Sequence, residues 1–196
     1  MNFSKYILAS VIATAFAGSV ANAADGTITF NGTVTDSACT AIASVTADSM
    51  VNGPAPVSAT LTLPPVTATT LNASAGVYVG QTPFSIQLTG CEAATNLNNV
   101  RALFTTSNTP SGDAHVMANT ATTTPAANVG VAILQQNGTT QIDLNGGSSK
   151  DPGMTLPATG NSGPVTLNYK AAYKSLAGGV TAGNVTGVAD FVISYF

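Results

Sequence analysis

Apolar and polar residues alternate along Gly26 to Asp36, GTITFNGTVTD, with Ile28, Phe30, Gly32 and Val34 on one face and threonine or asparagine on the other. A period of two predicts a strand with one buried face. The pattern recurs as Phe84, Ile86 and Leu88 in PFSIQLTGC, as Val100, Ala102 and Phe104 in VRALFTT, and as Val129, Val131 and Ile133 in VGVAILQQ. In VTLNYKAAYKS, Val165, Leu167, Tyr169, Ala171 and Tyr173 share a face. The chain finishes on a last alternating run, with Val185, Gly187, Ala189, Phe191, Ile193 and Tyr195 on one side. Helical spacing is nowhere sustained.

Prolines and glycines fall between these runs, at GPAP, LPP, DPG and SGP, and mark turns. Asn137-Gly138 has the chemistry of a type I′ turn and predicts a hairpin between VAILQQ and TTQIDL. Residues 106–128 carry no period and are expected to be a long surface connection. Several short strands separated by turn signals indicate an all-β sandwich in one domain.

The first residues change the picture of where this sandwich resides. Lys5 precedes an uncharged apolar run, Tyr6 to Val20, which ends in Ala21-Asn22-Ala23. This is the pattern of a signal peptide over residues 1–23, too short for a comfortable membrane span, with no other candidate span in the mature chain. Export gives Cys39 and Cys91 an oxidising compartment, in which an even pair predicts one disulfide. No CxxC or histidine cluster accompanies them to suggest a metal site.

Charge and chemistry mainly exclude. Only 7% of the residues are charged and, of five basic residues, Lys5 lies in the leader. Without a basic cluster to displace counterions from phosphates, a nucleic-acid partner is not expected. His115 is the only histidine, close to Asp113 within the irregular segment, and the eight acidic residues are scattered one at a time. Neither supplies a triad or a carboxylate pair, so no enzyme activity and no cofactor are expected.

Taken together, the leader, TITFNGTVTDSAC, the later IQLTGC, and a last strand with penultimate Tyr195 and with Gly183 fourteenth from the end resemble a major, shaft-forming chaperone-usher fimbrial subunit of the type 1 or P pilus kind. The resemblance covers both ends and both cysteines. It implies an incomplete immunoglobulin-like sandwich over residues 39–196, completed by a donor strand from another chain, the mode known as strand addition. Residues 24–38 are then a donor extension whose Ile28, Phe30 and Val34 fill a neighbour's groove while Gly32 passes its tightest point. Gly183, Val185, Gly187, Ala189, Phe191, Ile193 and Tyr195 would flank the receiving groove. The implied partners are other pilin subunits joined head to tail, a periplasmic chaperone and an outer-membrane usher, and the implied destination is a surface filament for adhesion. The alternatives are a minor adaptor or weakly receptor-binding pilin of the same system, and a secreted β-sandwich protein or hydrolase.

Overall fold

The computed structural model describes Cys39 and residues 59–73, 75–145 and 151–196, all of which belong to one compact unit of residues 34–196. The expected signal peptide and the donor residues Ile28, Phe30, Gly32 and Val34 lie outside the described residues.

Two antiparallel sheets form the body, as the recurring period of two predicts. One holds β1 (Tyr78–Cys91), β6 (Gly163–Ser175), β4 (Val129–Gln135) and the short β3 (Met117–Ala118), in that spatial order. The other holds β5 (Met154–Thr155), β2 (Asn99–Thr105) and β7 (Asp190–Tyr195), again in spatial order. The predicted inward faces meet between the sheets. Ile86 and Leu88 of β1, Val100, Ala102 and Phe104 of β2, Val131 and Ile133 of β4, and Val165, Leu167, Tyr169 and Ala171 of β6 are buried in one cluster.

Four local features differ from the sequence reading. A five-residue helix, α1 (Ala68–Asn72), stands before β1, capped by Thr67, whose side chain accepts from the Thr70 N–H. One turn and a half is too short to leave a periodic trace. The Asn137-Gly138 turn is not type I′, which needs positive φ at both residues. Only Gly138 has it (φ 72°), and the Gly138 N–H closes the turn on Gln135 O at 2.9 Å. The returning segment is held by single bonds, Gln135 N–H to Thr140 O and Ile142 N–H to Ile133 O, not by a regular second strand. Thirdly, residues 106–128 are more than a surface connection. They contribute β3, and Val116 is buried with Leu134, Ala132 and Ala172 on the outer side of the four-stranded sheet. Lastly, the alternating run from Val185 becomes regular strand only at Asp190, because β2 pairs with it from Val100↔Tyr195 to Thr105↔Asp190 and then leaves the sheet.

Candidate functional site

Among the described residues β7 has a strand neighbour on one side only, namely β2. The Phe196–Asn99 pair exchanges both backbone bonds, Phe196 N–H to Asn99 O at 3.0 Å and Asn99 N–H to Phe196 O at 2.9 Å. Such doubly bonded pairs recur at every second residue of an antiparallel ladder. In the register Arg101↔Ser194, Leu103↔Val192 and Thr105↔Asp190, the even-numbered residues therefore turn their backbone groups to β2. Phe191, Ile193 and Tyr195 turn theirs to the open edge.

The same parity continues upstream of β7. Thr120 N–H donates to Thr186 O (2.8 Å), Ala126 N–H to Asn184 O (2.9 Å), and Asn184 N–H to Thr124 O (2.8 Å). The Thr106 hydroxyl donates to Val188 O at 2.8 Å. Even-numbered residues are thus engaged from Asn184 to Phe196. The odd-numbered ones, Val185 to Tyr195, present one continuous row of backbone donors and acceptors on the opposite edge.

These odd residues also carry the inward side chains. Val185, Ala189, Phe191, Ile193 and Tyr195 are partly buried against the main core, whereas Val188 and Val192 on the other face are exposed. A half-buried apolar row beside an unpaired strand edge is an arrangement that an added strand completes. The aromatic floor lies at the level of Phe191. Phe104 stands edge-on to Tyr169 with centroids 5.0 Å apart, Phe84 lies 5.5 Å from Tyr169, and Phe191 lies 6.3 Å from Phe104.

Both glycines of the run are close-approach positions. A Cβ on Gly183 would stand 2.5 Å from Thr124 O and Ala126 N, so only glycine lets the chain lie against that backbone. A Cβ on Gly187 would meet the Cβ atoms of Met117 and Val131 at 3.1 Å, where the run crosses the rim of the four-stranded sheet.

Two polar anchors steady the aromatic floor and the last strand. The Tyr169 hydroxyl donates to the buried Asp151 carboxylate and accepts from the Ala102 N–H at 3.4 Å, joining the two sheets. Burial raises the Tyr169 phenol above its ordinary range, and the bond to Asp151 and its charge raise it further. Cys39 and Cys91 form the expected disulfide. The Cys39 N–H donates to the Tyr195 hydroxyl at 3.0 Å and so ties the disulfide to the last strand. Burial pushes that phenol up as well, against the opposing effect of the Cys39 N–H.

His115 lies away from this edge, in a polar cluster. Its Nδ1 is 2.6 Å from Asp143 Oδ1, and its backbone N–H donates to Asp113 Oδ1, whose other oxygen accepts from Lys174 at 2.7 Å. For Asp113 burial works upward, but the Lys174 and His115 hydrogen bonds and charges outweigh it and hold the carboxyl low. Among the described residues, no group of three or more histidine, cysteine or acidic side chains is arranged to hold a metal ion.

The comparisons with known proteins agree with this geometry. The family model described as "Fimbrial protein" matches residues 28–196. The major fimbrial subunit SMF-1 of Stenotrophomonas maltophilia (strain K279a) is 36% identical over 89% of this chain and 95% of that protein. The F17 fimbrial protein of Escherichia coli is 37% identical over 94% of each chain. A subunit in the solved structure of a chaperone-usher pilus has the same fold, with a TM-score of 0.55 at 19% identity, covering 87% of this chain and 95% of that one. The chain belongs to the fimbrial protein family and is a structural subunit of a cell-surface fimbria, with the incomplete immunoglobulin-like fold of a pilin.

Proposed function

We propose that the open edge of Val185–Tyr195 receives the N-terminal segment of a neighbouring subunit, and that the fimbria grows by repetition of this contact. The observation that carries the reading is the coincidence, on alternate residues of one edge, of backbone groups without a strand partner among the described residues and a half-buried apolar row. Gly26–Asp36 supplies the matching strand, with as many residues as Val185–Tyr195 and its own apolar alternation at Ile28, Phe30 and Val34. Residues 1–23 direct export, 24–38 form the donor extension, and 39–196 form the receiving domain. Donor and acceptor lie in different places on one chain, so the contact is heterologous and propagates into a filament.

Before assembly the same apolar row needs cover, which a periplasmic chaperone strand provides until an usher at the outer membrane exchanges it for the next subunit. The protein works by binding and polymerising, not by catalysis. Gly32 tests the fit most simply. A leucine there adds a branched side chain where the donor passes the groove's tightest point, and overpacking of this kind costs about 1 to 3 kcal/mol. Gly32→Leu subunits should accumulate in the periplasm, bound to chaperone, and yield few surface filaments by electron microscopy. Filaments at the normal number and length would remove Gly32 from the donor strand.

A further inference from the structure

The receiving edge is about twice as long as the strand that should support it. The ladder between β2 and β7 stops at Thr105↔Asp190, so among the described residues Asn184 to Ala189 have no regular strand beside them on the even side, only loop backbone at Thr120, Thr124 and Ala126. Asn119 stands in that place. Its Nδ2 donates to Asn184 O and to Ala126 O, both at 2.8 Å, and its Oδ1 accepts from the Thr186 N–H at 2.9 Å and the Ala121 N–H at 3.0 Å. One side-chain amide thus reproduces what an adjacent strand would offer, a donor for one carbonyl and an acceptor for the next even N–H. Thr124 is held at φ 40°, a conformation a β-branched residue adopts only under constraint, and its hydroxyl accepts from Asn184 Nδ2 at 3.2 Å.

We infer that Asn119 is a positioning residue for subunit joining: by holding Asn184 and Thr186 it extends the receiving edge from Phe191–Tyr195 back to Val185. This rests on the reading of that edge as the donor-strand acceptor. Asn119 touches the even side of the run, so it acts on the incoming strand only through the odd-numbered groups it keeps aligned. Thr106 and Thr120 bond single carbonyls of the same run. Asn184 also bonds the loop directly, at Thr123, Thr124 and Ala126, whereas Asn119 joins Asn184, Thr186, Ala121 and Ala126 through one side chain.

Amide hydrogen exchange on assembled filaments tests this. Isotope-labelled Asn119→Ala subunits are carried as a minority in filaments of the unaltered chain, so assembly does not depend on the variant by itself. In unaltered subunits the amides of Val185, Gly187, Ala189, Phe191, Ile193 and Tyr195 should all be protected by the incoming strand. In Asn119→Ala subunits, Val185, Gly187 and Ala189 should exchange about tenfold faster while Phe191, Ile193 and Tyr195 stay as before. Asn119→Asp, which keeps the acceptor but sets a carboxylate oxygen against the Asn184 and Ala126 carbonyls, should give the same local pattern with at least as large a change. An equal effect on all six amides, or none, would overturn the positioning role and reduce Asn119 to an ordinary loop contact. Exchange along the odd row that is fast already in the unaltered filament would instead overturn the acceptor reading itself.

Discussion

Tyr169 and Asp151 illustrate how single residues shape this surface. Their hydrogen bond sits under the aromatic floor formed with Phe84 and Phe104. Tyr169→Phe keeps the ring but leaves Oδ2 of the buried Asp151 without the phenol donor, while Oδ1 keeps the Gly153 N–H, so it should lower stability by about 1 to 3 kcal/mol in denaturant unfolding. The pH dependence follows from the raised phenol. Folding favours the neutral form, so the stabilisation is complete below the ordinary tyrosine pKa of about 10 and declines as pH rises above it. Tyr173 and Tyr195, also raised by burial, act in the same sense. Unfolding midpoints measured from neutral pH to above pH 10 should therefore fall on the alkaline side, and fall less steeply in Tyr169→Phe.

Most of the strands were legible because their apolar residues alternate toward the core, although β4 is buried on both faces, its outer side covered by Val116. Alternation places Ile86, Leu88, Val100, Phe104, Val165 and Leu167 in the core, and the structure buries all of them. What alternation cannot convey is where a neighbour ends. Val185 to Tyr195 read as one strand, yet only Asp190–Tyr195 ladders with β2, and the earlier half is held by loop backbone and by Asn119. A lone asparagine after the two-residue strand Met117–Ala118 has no periodic signal. The Tyr169–Asp151 bond, between residues far apart in space until folded, has none either. Gly183 stands out in the sequence only by its place in the family pattern; in the structure a Cβ there would lie 2.5 Å from Thr124 O and Ala126 N. Gly183→Ala must push that contact apart. It should cost about 1 to 3 kcal/mol by denaturant unfolding, with faster amide exchange around Asn184.

At the scale of the whole molecule, the disulfide and the receiving edge are linked through Tyr195. The Cys39–Cys91 crosslink closes a loop with a sequence separation of 52, which in the chain-entropy description stabilises by about 4 kcal/mol. Replacing both cysteines with serine should lower the unfolding midpoint accordingly, and mass spectrometry of the unreduced chain should recover the two peptides joined.

The larger deficit lies along the edge itself. On the proposed donor reading, covering it with Ile28, Phe30 and Val34, at about 1.5 to 3 kcal/mol for each buried side chain, would contribute roughly 5 to 9 kcal/mol before ordering costs. Whole domains are commonly stable by about 5 to 15 kcal/mol. The receiving domain is therefore incomplete without a donor. The most direct test compares chaperone-free chains in which residues 24–36 are removed from the N-terminus and residues 25–36 are appended after Phe196 through a short flexible linker. Attachment gives the appended strand a high effective concentration at the edge. A second chain carries serine at the appended copies of Ile28, Phe30 and Val34, and a third carries no appendage. Denaturant unfolding should show one late, cooperative transition for the first chain and early, poorly cooperative transitions for the other two. If the chain without an appendage unfolds as late and as cooperatively as the complemented one, the domain is complete by itself and the edge of Val185–Tyr195 is not where subunits join.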